Sequence, residues 1–340
     1  MTFRDYLTRI IQRQDLTESQ MADMMNTVLT GQATEAQIGA MMASLATKGE
    51  TFEELAGAAQ AMRQNARRIQ ATGSPVVDTC GTGGDAAHTF NISTASALVA
   101  AAAGARVAKH GGRSVSSTCG SADVLEALGV NLSLTPEQVG QCIGQIGIGF
   151  MFAPNFHGAM KYAAPVRREL GVRTIFNVLG PLTNPAGADN QVMGVFHQDL
   201  VGIQARVLQR LGSRHVLVVH GADGMDEISI SDGTYIAELK DSNVSEYTVH
   251  PDLFGLTTAP LNMLRVANIG EAQEKLMSVL NNEVGAARDI VQLNAGAAIY
   301  VAGLARTLEE GVANADQVIS SGAAKSKLDQ LIAVSNGFKT

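Results

Sequence analysis

At 340 residues the chain has the length for two domains, or for one large domain with an appendage, and for a substantial core. A composition 46% hydrophobic and 17% charged excludes a disordered chain, and with 4% aromatics and no Trp the core must be built from Ala, Val, Leu, Ile and Met. The formal net charge of −7 argues against a duplex nucleic-acid binder, which needs a basic surface to displace counterions.

The chain opens on Met1-Thr2-Phe3-Arg4-Asp5, an amphipathic, acid-containing segment that resembles neither a signal nor a transit peptide. Up to about residue 72 only helices are predicted. Thr17-x-x-Gln20, Thr34-x-x-Gln37 and Thr51-x-x-Glu54 are capping boxes. Apolar stripes at helical spacing follow, Met21, Met24, Met25, Val28 and Leu29 in one, Ile38, Met41, Met42 and Leu45 in the next. Gly31 and Gly49 stand where helix C-caps belong. These methionines read as core, since Met fills irregular gaps.

The character changes at Pro75. Pro75–Thr79 predicts a strand, Cys80–Asn91 a loop, Ile92–Ala103 a helix stopped by Gly104, and Ala105–Lys109 a second strand: a βαβ unit. Phe152–Ala188, broken by Pro154, Pro165, Pro181 and Pro185, reads either as a crossing back to the helical region or as a hinge. A second unit follows in Gln191–Phe196 (strand), Leu200–Leu211 (helix) and His215–His220 (strand). Thr234–Leu239 and Val244–Val249 predict an antiparallel hairpin near the sheet edge, and from Gly270 the chain is helical again. The fold class is therefore α/β with a mainly parallel sheet, preceded by a small helical bundle.

Three loops carry chemistry. Asp78–Thr94 joins a strand to a helix at the carboxyl end of the sheet, where ligands bind in open α/β folds. Its run Gly81-Thr82-Gly83-Gly84-Asp85 lets backbone amides approach a phosphate, and Thr89, Ser93 and Thr94 add hydroxyls beside a helix start. Gly81-x-Gly83-x-x-Ala86 loosely fits the dinucleotide fingerprint, but the helix does not open there and Lys109-His110, not an acid, ends the next strand. No Gly-Lys-Ser/Thr follows Gly81, so it is not a Walker A loop. Lys109–Ser117 combines two cations, two glycines and three hydroxyls, a composition suited to a diphosphate. Asp226 and Glu227, straight after a strand, suit Mg2+, which takes one or two carboxylates together with substrate phosphates. Alone, the glycine loop reads equally as a flexible loop, the basic loop as an unremarkable solvated turn and the acidic segment rather as a surface turn; their adjacency at one sheet edge favours the functional reading. Arg167 and Arg168 read either as a solvated helix face or as a fork for a carboxylate. Cys80, Cys119 and Cys142 have no CxxC spacing and no companion His for zinc, and an odd, sparse count suits a reducing compartment. The longest apolar run, Ala95–Ala105, is too short for a bilayer, and the expected location is the cytoplasm.

Taken together, Gly81–Asp85, Asn91–Thr94, Lys109–Ser117, Gly120–Asp123 and Arg173–Pro185 resemble the anthranilate phosphoribosyltransferase family. Its glycosyltransferase (pentosyltransferase) class also contains the pyrimidine nucleoside phosphorylases. Arg167 together with Asp226-Glu227 favours the anthranilate branch over a phosphorylase. A non-catalytic, nucleic-acid-binding relative of the fold is the other alternative, disfavoured by the net charge of −7. The resemblance covers essentially the whole chain. It implies an all-helical domain over residues 1–72, rejoined by helices from about 155–190, and an α/β domain over 73–154 and 191–340, usually paired as a homodimer. It implies transfer of phosphoribose from phosphoribosyl pyrophosphate to anthranilate, a step of tryptophan biosynthesis, with Mg2+.

Residue by residue, the resemblance implies donor contacts at Gly81, Gly84, Asp85 and Thr89, at Asn91, Ile92, Ser93 and Thr94, and at Ser121. It implies further donor contacts along Lys109, His110, Gly111, Gly112, Arg113, Ser114, Val115, Ser116 and Ser117. Ser93, Asp226 and Glu227 would hold Mg2+, and Gly81, Arg167 and Gly112 would border anthranilate. No general base is expected, because a neutral aromatic amine is already nucleophilic. The sequence departs from the family pattern where Gly112 replaces a usual Asn, Thr118-Cys119 a usual Lys-Ser, and Phe156 and Gly158 a usual His and Pro beside His157. The departures fall on the acceptor side.

Overall fold

The computed structural model describes residues 1–70, 75–113 and 119–338. Four helices open the chain: α1 (Phe3–Ile11), α2 (Glu18–Leu29), α3 (Glu35–Lys48) and α4 (Phe52–Asn65). Thr17, Thr34 and Thr51 each accept from the third backbone amide of their helix, and Gln20, Gln37 and Glu54 reach back to the cap nitrogen. Each such cap is worth about 1 kcal/mol. Gly31 and Gly49 end α2 and α3 at φ of 75° and 87°, where a Cβ would be strained. The methionine stripes are fully buried among these helices.

Seven strands among the described residues form one sheet: β1 (Val76–Gly81), β2 (Arg106–Gly111), β3 (Ile148–Phe152), β4 (Asn190–Gly194), β5 (His215–Gly221), β6 (Thr234–Lys240) and β7 (Asn243–Val249). Their order is β3-β2-β1-β4-β5-β6-β7; the first five are parallel, and the β6–β7 hairpin closes one edge antiparallel. The fold is thus a helical domain with an α/β domain whose central sheet is mainly parallel. The strand β3 is not among the elements expected from the sequence. Its five residues follow helix α7 (Pro136–Ile146) across the single glycine Gly147. Gly149 interrupts its apolar run because a Cβ there would come within 2.8 Å of Ile143 and Val139 on α7.

Two predicted strand ends are also corrected. Cys80 and Gly81 belong to β1, paired with Met193 and Gly194, and His110 and Gly111 belong to β2, paired with Met151 and Phe152. The glycines are strand positions where other chain segments come close, so they do not start the loops.

Side chains alternate across the sheet as a pleat requires. On β5, Leu217 and Val219 face a core shared with α5 (Ile92–Ala102) and the C-terminal helices α13 (Ala286–Val301) and α14 (Leu308–Ser320). Val216 and Val218 face the opposite core, which also holds α11 (Leu200–Arg210) and is continuous with the helical bundle. The segment between β3 and β4 contains α8 (Ala153–Phe156), α9 (Ala164–Leu170) and α10 (Phe176–Leu179). It packs Ala163, Val166, Phe176 and Leu179 into this second core, with Val166 against Gly39 of α3. Arg63 of α4 ties the bundle to the crossing segment and to the end of α11, its guanidinium donating to the Leu182 carbonyl at 2.6 Å and the Leu211 carbonyl at 3.2 Å. The remaining helices are α6 (Ser121–Ala127), α12 (Ile269–Leu280) and α15 (Ala323–Gly337).

Candidate active site

The carboxyl ends of β1, β4 and β5 meet at one place. After β1 the glycine loop turns through Gly83 and Gly84 at φ of 66° and 76°; Ala86 and His88 share the left-handed region at 58° and 54°, a concentration of strain typical of binding loops. Thr82 is tied down twice, its amide donating to the Gly194 carbonyl at 2.9 Å and its hydroxyl accepting from the Phe196 amide at 3.1 Å. Farther along, the His88 carbonyl accepts from the Val266 amide, and the Phe90 amide donates to the Leu264 carbonyl, while Thr89 bridges Arg265.

The turn after β5 folds back over this loop. Asp226 Oδ2 accepts the Gly83 amide at 2.7 Å, and Glu227 Oε1 accepts the Ser93 amide at 3.1 Å. Asp85 stands beside Asp226, whose amide points to Asp85 Oδ2 at 3.5 Å. Burial first, and the neighbouring Asp85 charge second, push the Asp226 carboxyl up to about 7. Burial and Asp226 raise Glu227 well above the carboxylate range, opposed by Lys109. Three carboxylates are therefore crowded where one buried ammonium stands near.

That ammonium is Lys109. It is 3% exposed, and its Nζ donates to the Thr79 carbonyl at 2.5 Å and to Ser93 Oγ at 3.2 Å. Burial lowers its pKa, against the raising effect of Asp78, Cys80 and Glu227. Asp78, beneath it, accepts the His110 amide at 3.1 Å. Lys109 thus organises Ser93 and the acid pair from below.

The other sequence-selected residues divide. Asn91 is the N-cap residue of α5 and donates to the Cys119 carbonyl at 3.1 Å, but its own Oδ1 is buried with no partner among the described residues. Ile92 has its side chain in the core and its amide on the Phe90 carbonyl. The Thr94 hydroxyl is also buried and has no partner among the described residues. A Cβ at Gly111 would overlap Ser121 Oγ, which is how α6 comes to start against the end of β2. Arg113 departs from the expectation of an available cation. Its guanidinium is held by Asp123 at 2.9 Å and Glu126 at 2.8 Å and lies 5.6 Å from the Phe152 ring centre. The spacing of the loop could not reveal this, because both acids sit on α6. Ser114, Val115, Ser116, Ser117 and Thr118 lie outside the described residues.

On the crossing segment, Arg168 is exposed and Arg167 half-buried. The Arg167 guanidinium stacks over Phe176 at 5.5 Å, burial lowers its pKa, and among the described residues it has no carboxylate partner. Gly112 has open space beside it, with only Ala153 Cβ at 4.0 Å from an added Cβ. Cys119 and Phe156 are buried, and Gly158 has nothing within 4 Å of an added Cβ.

Two functional candidates escape the sequence. His157 packs against His110 with ring centres 5.0 Å apart; both rings are buried and neither Nε2 has a partner among the described residues. Burial holds His110 down to about 3, helped by His157 and Lys109, and His157 down to about 4, so the pair is neutral. Arg173, on the segment after α9, donates to the Gly84 carbonyl and lies 4.3 Å from the Phe196 ring centre.

A parallel sheet with a glycine loop, a buried lysine and an acid pair at its carboxyl edge, set against a helical bundle, defines a glycosyl transferase. Residues 73–325 match the family model for the glycosyl transferase family a/b domain, and residues 4–66 match the model for its helical bundle domain. The anthranilate phosphoribosyltransferase of Thiobacillus denitrificans is 60% identical over 100% of this chain and 99% of its own. That of Chromobacterium violaceum is 57% identical over 97% and 96%. The crystal structure of anthranilate phosphoribosyltransferase from Thermus thermophilus superposes with a TM-score of 0.93 at 42% identity, covering 98% of this chain and 100% of that one. The Saccharomyces cerevisiae enzyme in complex with PRPP and Mg shares the fold, with a TM-score of 0.90 at 24% identity over 99% and 98% of the chains. The chain belongs to the anthranilate phosphoribosyltransferase family.

Proposed function

We propose that this chain transfers phosphoribose from 5-phosphoribosyl 1-pyrophosphate to the amine of anthranilate. The products are N-(5-phosphoribosyl)anthranilate and pyrophosphate, the second step of tryptophan biosynthesis from chorismate. The observation that carries the reading is the lock between Asp226-Glu227 and the amides of Gly83 and Ser93, which sets an acid pair over a glycine loop at the ligand-binding edge of the sheet.

The acid pair fits Mg2+. Asp226 and Glu227 are crowded by Asp85 and driven toward protonation by burial, so a divalent cation would restore their charge. Mg2+ commonly takes one or two carboxylates together with substrate phosphates and waters. Ser93, Asp226 and Glu227 would hold it, and its chemistry when bound is to neutralise the departing diphosphate. The chain's own residues do the rest. In the glycine loop the Thr82 and Gly83 amides are held by Gly194 and Asp226, so Gly84 and Asp85 would be the amides that meet the phosphates, and Lys109 fixes Ser93 and screens Glu227.

On the acceptor side, Arg167 is a half-buried cation without a protein carboxylate among the described residues, the condition for receiving the anthranilate carboxylate. In the His110–His157 pair burial holds both imidazoles well below their ordinary pKa, so the pair adds no positive charge near neutral pH. The C1–oxygen bond to pyrophosphate breaks, the C1–nitrogen bond forms, and the amine loses one proton. Fixed orientation of both substrates supplies much of the rate.

We further read the chain as a cytoplasmic homodimer. Residues 1–72 and about 155–190 make one domain, and 73–154 and 191–340 the other. Separate family models for 4–66 and 73–325 support a boundary near residue 70, packing of Ala163, Val166, Phe176 and Leu179 with the bundle core supports the return of 155–190, and three free cysteines support a reducing compartment. The deciding assay mixes the chain with Mg2+ and phosphoribosyl pyrophosphate and follows loss of anthranilate fluorescence. Steady loss with stoichiometric pyrophosphate is expected; phosphate-dependent cleavage of uridine or thymidine, with anthranilate untouched, overturns the reading.

A further inference from the structure

Gly81 and Gly194 are register partners at the ends of the neighbouring parallel strands β1 and β4. Neither has a positive φ, so backbone conformation does not require glycine at either position. What requires it is the turn lying on top of them. A Cβ on Gly194 would overlap the carbonyl carbon and oxygen of Asp226 and leave even its Cα only 3.1 Å away. A Cβ on Gly81 would overlap the Asp226 carboxylate and sit 2.9 Å from its Cγ. The two obstacles differ in kind. Gly81 faces a side-chain end that can rotate, whereas Gly194 faces backbone, which can yield only by moving the whole turn.

We propose that Gly194 and Gly81 are positioning residues, a strip of bare backbone across two strand ends that sets the height of Asp226 and Glu227 above the sheet. The proposal rests on the reading of that acid pair as the metal-holding group of the donor site. The bare strip allows the turn to descend until Asp226 Oδ2 meets the Gly83 amide at 2.7 Å and Glu227 Oε1 meets the Ser93 amide at 3.1 Å. Both bonds tie the acids to the glycine loop and the start of α5. A methyl group at 194 lifts Asp226 by its backbone and carries Glu227 with it, whereas a methyl group at 81 turns the Asp226 carboxylate alone. Asp226 alone supplies the atoms nearest an added Cβ at either glycine; Arg167 and the two histidine rings are not among them.

The experiment compares Gly194→Ala, Gly81→Ala, Glu227→Gln and Gly296→Ala in the full-length chain. Measured are half-saturating Mg2+, KM for each substrate, kcat and Tm. Groups that orient metal ligands typically change metal affinity by about 10–100-fold. Gly194→Ala is therefore expected to raise half-saturating Mg2+ and the KM of phosphoribosyl pyrophosphate roughly tenfold, with the anthranilate KM within about twofold of the parent. Gly296, where a Cβ would come within 2.5 Å of Val312 Cα, is also crowded by backbone, but at the α13–α14 contact and not against Asp226. Gly296→Ala should lower Tm without moving the Mg2+ dependence, separating positioning from stability.

If Glu227→Gln shifts the Mg2+ dependence and Gly194→Ala does not, the glycine proposal is overturned while the metal reading stands. If Glu227→Gln itself leaves it unmoved, the metal reading falls and the proposal with it. Should the Gly194→Ala chain fail to fold, Gly81→Ala decides: a raised half-saturating Mg2+ supports the strip, and an unchanged one overturns it.

Discussion

Arg173 holds the Gly84 carbonyl through its guanidinium while stacking 4.3 Å from the centre of the Phe196 ring. The residue leaves α9, which packs against the helical bundle through Val166, and lands on the loop proposed to bind the donor. It links the segment bearing Arg167 to the glycine loop. Arg173→Ala should loosen that loop. A charge-assisted hydrogen bond is worth about 1.5–3 kcal/mol, so the donor KM should rise roughly 10–100-fold, more than the anthranilate KM. Steady-state kinetics with each substrate varied in turn checks this; equal shifts in both constants would mean that Arg173 acts on the whole fold.

Arg167 tests the acceptor side. Its guanidinium stacks on Phe176 and has no carboxylate among the described residues. Arg167→Ala should raise the anthranilate KM by roughly 10–100-fold, the worth of a charged hydrogen-bonded pair, with the donor KM nearly unchanged. Arg167→Lys should recover little, because an ammonium neither stacks on the ring nor grips a carboxylate with two parallel bonds. An unaltered acceptor constant in the alanine variant would remove Arg167 from the site.

Gly112 is a departure with room around it. An added Cβ meets nothing nearer than Ala153 Cβ at 4.0 Å, and its backbone is outside the left-handed region. Gly112→Asn should therefore fold normally, with a stability change within about 0.5 kcal/mol. The new amide would offer a donor and narrow the pocket. The anthranilate KM should fall, and turnover of ring-substituted anthranilates should fall relative to anthranilate. A fluorescence assay across a substituted series reads both effects.

Legibility in the sequence follows the range of the interactions. The bundle is legible because each capping box lies within four residues and each methionine stripe repeats along one helix. The β1-α5-β2 unit is legible because glycines punctuate it. By contrast, β3 is hidden because Gly149 is set by contact with Val139 and Ile143, so the strand's apolar pattern looks interrupted. The acid pair and the glycine loop are each visible as compositions, but their interlock depends on β4 and β5 lying beside β1. Arg113 reads as available because the acids that take it belong to another element. His157 has no local signal at all; only the β2–β3 pairing and the α8 turn bring it to His110.

That histidine pair gives the pH prediction. Burial holds His110 at about 3 and His157 at about 4, below the ordinary value of 6.5. A folded-state pKa below the unfolded one means that the unfolded chain binds the proton first. The pair therefore costs no stability above about pH 6.5 and destabilises progressively as pH falls toward the folded values. Within that window each histidine removes about 1.4 kcal/mol per pH unit. The raised carboxyls Asp78, Asp226 and Glu227 work in the opposite direction, gaining stability on acidification, so the total slope does not isolate the histidines. A difference does. His157→Gln keeps the volume and cannot titrate, so stability plotted against pH for the parent minus the variant should be flat above about pH 6.5. Between about pH 6 and pH 4.5 the parent should lose stability faster, by about 1.4 kcal/mol per unit from His157 itself. Urea denaturation at half-unit pH intervals measures it, and parallel curves across that window would show that the buried pair already shares a proton in the folded state.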